Sequence, residues 1–221
     1  MAKKVFGAFY TVSEKRELNF DEIQAVSIDM RKCAKSELSV VYTKEKSEQG
    51  FFVGGHAEHN NNPEISMFKS ACGVNIVVAQ KDLRAEGLLM VTLALPEGYK
   101  LVGFRSEGTV IEYNLIDVDI ERINLSNQKG KINFKGKSQN VGLYSKYYPV
   151  TACVELTGRA LIQLGSRTAD VNLTLKNASQ VDIKRKPQLE QQCICTCKTC
   201  TNGYLAELYL DSNSDGKVVI Q

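Results

Sequence analysis

Four cysteines near the C-terminus, Cys193, Cys195, Cys197 and Cys200, form the spacing C-x-C-x-C-x-x-C within CICTCKTC. A Cys-x-x-Cys turn aims two thiolates at one tetrahedral ion, with Zn–S bonds of about 2.3 Å. In an extended chain the first three share one side, so a bend is needed to bring four ligands together. Zinc is the metal such a set suits best, and Cu(I) is the softer alternative. The spacing does not reproduce the ferredoxin patterns of iron–sulfur proteins. The same residues also read as a loop or hairpin whose thiols are free or disulfide-bonded. The other three cysteines sit beside alanine in RKCAKS, SACGV and TACVEL. Cys72 and Cys153 are expected to pack as small buried hydrophobes, and Cys33, in a charged setting, fits that role less well. Seven cysteines, an odd number, argue against the fully paired framework of a small secreted protein.

Two further groups contain metal-ligating or acid–base side chains. His56 and His59 lie three apart in GGHAEHNNN, with Glu58 between them. On a straight strand they point to opposite faces, and the spacing is not H-E-x-x-H, so an exposed polar loop is expected. Asp117, Asp119 and Glu121 alternate in IDVDIE. A carbohydrate-active β-helix enzyme needs two or three carboxylates on one face. The same alternation puts Ile116, Val118 and Ile120 on the other face, as in any half-buried strand with a wet side. No G-x-G-x-x-G, P-loop or G-x-S-x-G motif is present. The acidic segment 211–215 (DSNSD) lacks the EF-hand spacing and reads as a solvated turn. Tyr144, Tyr147 and Tyr148 in YSKYY form an exposed recognition patch or fill a loop. No catalytic or cofactor-binding residue is assigned. The expected function is a non-enzymatic structural or interaction protein. The alternatives are a metal-binding protein using Cys193 to Cys200, and a carbohydrate-active β-helix enzyme.

The elements that must position these residues are strands. Segments 23–30 (IQAVSIDM), 37–43 (ELSVVYT), 73–79 (GVNIVVA) and 88–95 (LLMVTLAL) are rich in β-branched residues and alternate. Pro96 cannot donate to a ladder and ends the last of these. Residues 44–72 read as an irregular segment with one short strand, and 66–71 and 81–86 as single turns of helix. From Leu101 onward a pattern recurs of two alternating runs around a polar turn: LVGFRSEGTVIEY, INLSNQKGKINF, VELTGRALIQL, LTLKNASQVDI and LYLDSNSDGKVVI. Taking Phe104, Leu125, Leu156, Leu175 and Leu210 as equivalent gives spacings of 21, 31, 19 and 35. Setting aside residues 187–202 as a Cys-rich insertion brings the last near the others. A period near 20 is what the stacked coils of a parallel β-helix or β-solenoid require. Gly108, Gly130 and Gly216 suit its turns. The expected fold is therefore all-β, one β-solenoid domain over 1–221, with an antiparallel β-sandwich as the alternative.

The combination LPEGYKL, SEGTVIEY, SNQKGKINF and SDGKVVI resembles the bacterial putative-adhesin family with β-strand repeats, whose biochemical function is unknown. The resemblance covers roughly residues 20–220. It rests on a lead of IQAVSIDM and SELSVVYT, a strand ending in Leu-Pro, and repeated S-x-G-x-(V/I)-x-(V/I) passes. It implies a parallel β-helix without a defined catalytic site. Members often carry a signal peptide or membrane anchor, which this sequence does not display, and the cysteine insertion departs from their pattern.

Composition narrows the partners. With 28 basic and 25 acidic side chains among 221 residues, the net charge is only +3. That is far from the dense positive surface of a dedicated nucleic-acid binder. The N-terminal MAKKVFGAFYTVSEKRELNF has no long apolar run or cleavage site, and no stretch is long enough for a spanning helix. A cytoplasmic protein without membrane insertion is expected. Its partner would be another protein or a second copy, met at the open coil ends.

Overall fold

A computed structural model describes residues 9–58, 61–167, 169–185, 194–197, 201–212 and 217–221. The chain is all-β, and among the described residues the one other regular element is a three-residue 3-10 turn at Lys46–Glu48. Strand formation follows from alternation. In β2 (Ala25–Lys32) Val26, Ile28 and Met30 are buried while their neighbours face outward, and in β3 (Ser36–Thr43) Leu38 and Val40 do the same. The strands before and after are β1 (Phe9–Arg16), β4 (Gly50–Glu58), β5 (Glu64–Lys69), β6 (Gly73–Ala79), β7 (Gly87–Pro96) and β8 (Leu101–Gly108). Three long strands follow: β9 (Glu112–Asn127), β10 (Lys131–Ser145) and β11 (Val150–Ser166). The chain ends with β12 (Val171–Lys176), β13 (Ala178–Arg185), β14 (Ile194–Cys197), β15 (Tyr204–Ser212) and β16 (Lys217–Ile220).

All sixteen strands belong to one sheet with two arms. The first arm runs β1-β4-β7-β3-β9-β10-β11-β12-β16-β14, and the second runs β5-β6-β2-β8-β9-β10-β11-β15-β13. The long strands serve both arms, the N-terminal half of each lying in the first and the C-terminal half in the second. Register shifts at Lys135/Gly136 and Ser138/Asn140 mark the bend between halves. The sheet thus curls around a single core, to which Leu38, Val91, Leu115, Phe134, Val154 and Leu175 contribute from one arm. Val26, Ile76, Phe104, Ile123, Val141 and Ile162 contribute from the other.

Over the middle of the chain neighbouring strands are parallel and their paired residues recur at intervals close to 20. Tyr113, Ile132, Val150 and Val171 stand side by side in successive strands, steps of 19, 18 and 21 residues. Only β1–β4, β4–β7 and β5–β6, at the N-terminal end, are antiparallel among the described pairs.

Several expectations need correction. The coils do not climb in sequence order: β6 and β7 lie outside β2 and β3, and β15 and β16 slot inside β13 and β14. Within the stretch 187–202, residues 194–197 form β14, which pairs with β16 at the end of the first arm. The five residues taken as equivalent mix the arms. Leu125 and Leu210 lie in the second, Leu175 lies in the first opposite Val154 and Ile220, and Leu156 lies opposite Ser138. Both arms use the same apolar–polar grammar, so local pattern alone does not separate them. The segment 44–72 contains two strands, β4 and β5, and 66–69 is extended rather than helical. Among the described residues, no helix is long and apolar enough to cross a membrane.

Candidate binding groove

The outward-facing residues of the second arm fall into rows, because every parallel partner stands at a fixed register. Asn75, Ser27, Arg105, Asn124, Gly142 and Gln163 are side by side across six strands. One step toward the strand N-termini, Gly73, Ala25, Gly103, Arg122, Asn140 and Leu161 form the next row. Where the rows hold Gly or Ala the surface is low, and where they hold Arg, Asn or Gln it is tall. The result is a groove of about 400 Å³ lined by both rows. At a strand spacing of about 4.8 Å, six strands extend it over roughly 24 Å.

Its electrostatics are one-sided. No carboxylate is among the lining residues, whereas Arg105 and Arg122 both are. Each guanidinium pairs with an acid of its own strand that is not part of the lining, Arg105 Nη2 with Glu107 Oε2 at 3.6 Å and Arg122 Nε with Glu121 Oε1 at 3.4 Å. Such exposed pairs contribute no more than about 1 kcal/mol, so either cation is free to exchange partners. The side-chain amides of Asn75, Asn124, Asn140 and Gln163 donate no hydrogen bond to another described residue. Two of the low points, Gly103 and Gly142, would meet only ordinary contacts on gaining a Cβ, at 3.4 Å from Ala25 Cβ and 3.6 Å from Asn124 Cγ. They shape the groove without being required by local packing.

A second cavity, of about 420 Å³, lies at the bend. Asp117 has φ +57°, a left-handed conformation that Asp tolerates better than most residues. This breaks the alternation: Ile116 is turned outward, 47 % exposed, while Val118 and Ile120 stay buried. Asp117 Oδ1 is 2.7 Å from Lys135 Nζ, and this hydrogen bond holds the Lys135 ammonium above its ordinary pKa. Asp119 is fixed through its backbone, its N–H donating to Tyr42 Oη at 2.9 Å. Both aspartates line this cavity together with Lys135, Lys137 and Lys176, while Glu121 is not among its lining residues and pairs with Arg122. The three carboxylates proposed from sequence are thus not brought to one groove.

The remaining candidates are dispersed. Cys193 and Cys200 lie outside the described residues. Of Cys195 and Cys197 only the backbone is described, opposite Val218 and Ile220. Among the described residues, no group of three or more His, Cys, Asp or Glu is placed to hold a metal. His56 is exposed on β4 between Thr11 and Leu88, and His59 lies outside the described residues. Tyr144, Tyr147 and Tyr148 are exposed, with Lys146 Nζ 5.1 Å from the Tyr147 ring centroid.

The scattered cysteines reverse the expected order. Cys33 is buried, its thiol donating to the Val78 carbonyl at 3.1 Å, whereas Cys72 is exposed and Cys153 half-buried. Cys72 sits in the turn between β5 and β6, where its carbonyl, not its side chain, is used, accepting from the N–H of Gln24. Burial pushes the Cys33 thiol up from 9.0 to about 12. The neutral thiol is thus favoured by folding, and this contribution, complete below pH 9, is lost as pH rises toward 12. Iodoacetamide added to the native protein at pH 8 is expected to modify Cys72 readily and Cys33 only after unfolding. Peptide mass spectrometry checks this, and early labelling of Cys33 would contradict the packing described.

Sequence reasoning passed over the groove residues. Their signal was present: aligning Phe104, Ile123, Val141 and Ile162, which the register places side by side, brings Arg105, Asn124, Gly142 and Gln163 into one row.

No family model matches the sequence, and no curated protein matches it. Solved structures do. The chain is similar along its length to proteins described as putative adhesins. One is a putative cell adhesion protein from Clostridium sporogenes, 11 % identical, with 96 % of this chain and 99 % of that one covered and a TM-score of 0.46. Another is a putative adhesin from Bacteroides fragilis, 9 % identical, covering 97 % of each chain at a TM-score of 0.39. A third, from Parabacteroides merdae, is 8 % identical, with 98 % and 97 % covered and a TM-score of 0.34.

Proposed function

We propose that this is a non-enzymatic interaction protein of β-solenoid build, whose second arm holds an extended polar partner in its outer groove. One observation carries the reading: two guanidiniums and a set of amides with donors to spare stand in register over a glycine floor, with no carboxylate among them. A groove that crosses the strands suits a chain-like ligand, since several successive strands present polar side chains along its length. Binding sites commonly combine a preformed concavity with a few placed polar groups. Such a site needs no general acid, base or nucleophile.

Titration calorimetry against a panel of soluble polysaccharides and polypeptides, followed by sizing of the polymer, tests this. At least one polymer is expected to bind with its length unchanged. Binding of none, or shortening of the polymer that binds, would contradict the proposal.

A further inference from the structure

We infer that the partner held in this groove is an acidic polysaccharide carrying carboxylates on its sugar rings. The inference rests on the groove reading above and specifies its ligand. Arg105 and Arg122 come from the adjacent strands β8 and β9, offset by two residues: Arg105 stands opposite Asn124, and Gly103 opposite Arg122. Such diagonal neighbours are rooted about 7–8 Å apart, a spacing that offers two separate anchoring points along one chain. A guanidinium binds a carboxylate through two parallel hydrogen bonds. Covering it with a neutral ligand instead would remove water without replacing the charge partner, which is unfavourable.

The amides argue for sugar over peptide. Each of Asn75, Asn124, Asn140 and Gln163 presents a donor and an acceptor together, the same pair a hydroxyl presents in return. A peptide bound by strand addition needs an unpaired sheet edge. Here β2, β8, β9, β10 and β11 are each paired on both sides, so their backbone groups are already used in the ladders. Nucleic acid is disfavoured because no exposed aromatic ring lines the groove for base stacking. Glu107 and Glu121 are the present partners of the two arginines, and binding exchanges these weak exposed pairs for ligand carboxylates.

The test is titration of the whole protein with polygalacturonate, alginate, carboxyl-reduced polygalacturonate and poly-L-glutamate. One or both acidic polysaccharides are expected to bind at least about tenfold more tightly than the carboxyl-reduced polymer and poly-L-glutamate. Arg105→Gln and Arg122→Gln are each expected to weaken that binding about tenfold, while Arg84→Gln, outside the groove, leaves it unchanged. Thermal unfolding of each variant at the wild-type midpoint shows that the loss is not misfolding. Equal binding of the carboxyl-reduced polymer, equal binding of poly-L-glutamate, or indifference to both arginine substitutions overturns the inference. If a neutral polymer binds and valine at Gly142 blocks it, the groove reading stands and the acidic assignment falls. If no polymer binds, both fall.

Discussion

Gly130→Ala is expected to lower stability by about 3 kcal/mol, at the upper end for one added carbon in a packed site. Gly130 is buried at the corner between β9 and β10, and a Cβ there would lie 2.1 Å from the Ile111 carbonyl oxygen and 2.3 Å from that of Val110. Neither oxygen can yield freely. Ile111 O accepts from the N–H of Lys131 at 3.2 Å, and Val110 O accepts from Asn127 Nδ2 at 2.7 Å. Relief of the clash must therefore pull apart the corner that sets β10 beside β9. The requirement is close approach of two backbones rather than a positive φ, since Gly130 is not among the positive-φ residues. Gly142→Ala provides the contrast: its Cβ would meet Asn124 Cγ at 3.6 Å, so it should leave stability within about 0.5 kcal/mol of wild type. Urea unfolding of the pair checks the prediction, and a Gly130→Ala protein as stable as Gly142→Ala would contradict it.

Asn127→Leu is expected to cost a similar amount, about 3 kcal/mol, because it leaves the buried Val110 carbonyl without its side-chain donor and Gly130 O with one donor of two. Asn127 is fully buried, and its Nδ2 donates to both Val110 O at 2.7 Å and Gly130 O at 2.9 Å. On the neighbouring strand β10, Ser145 stands opposite Asn127 and donates to the same Gly130 carbonyl at 2.9 Å. On β11 beyond it, Ser166 stands opposite Ser145 and donates to Tyr148 O at 3.1 Å. This buried polar column satisfies the carbonyls of successive turns, and leucine would replace its best-connected member with a group that cannot donate. Ser166→Ala removes one donated bond, to Tyr148 O, and one accepted bond, from the Ala169 N–H at 3.1 Å, and should cost less, about 1.5 kcal/mol. Chemical denaturation separates the two, and equal midpoints would show that the column is not what holds the corners.

Part of this architecture was legible because strand alternation and polar turns are local properties. The interval of about 20 residues between side-by-side strands from Leu101 to Lys176 follows from them, as does the need for glycine at position 130. The order of the coils is a different kind of information. Which edge β6, β7, β15 and β16 join depends on contacts far away in sequence, and both arms present the same alternating pattern to be matched. Asp117 shows a local failure: one left-handed residue turned Ile116 outward and removed the simple two-faced reading of IDVDIE. Cys72 shows another, since an apolar neighbourhood in sequence, SACGV, became a tight turn in space. The groove needed register above all. Its arginines and amides are ordinary surface residues one by one and become a candidate site only when adjacent coils are aligned.

The most direct measurement of the account is polymer binding by a protein whose groove has been filled. Gly103→Val combined with Gly142→Val puts two side chains into the low points of the groove at positions where contacts are ordinary and valine suits an extended strand. This variant is expected to unfold at or above the wild-type midpoint and to lose the binding of whichever polymer the unaltered protein retains. Undiminished binding by the filled, stably folded variant would contradict the groove reading.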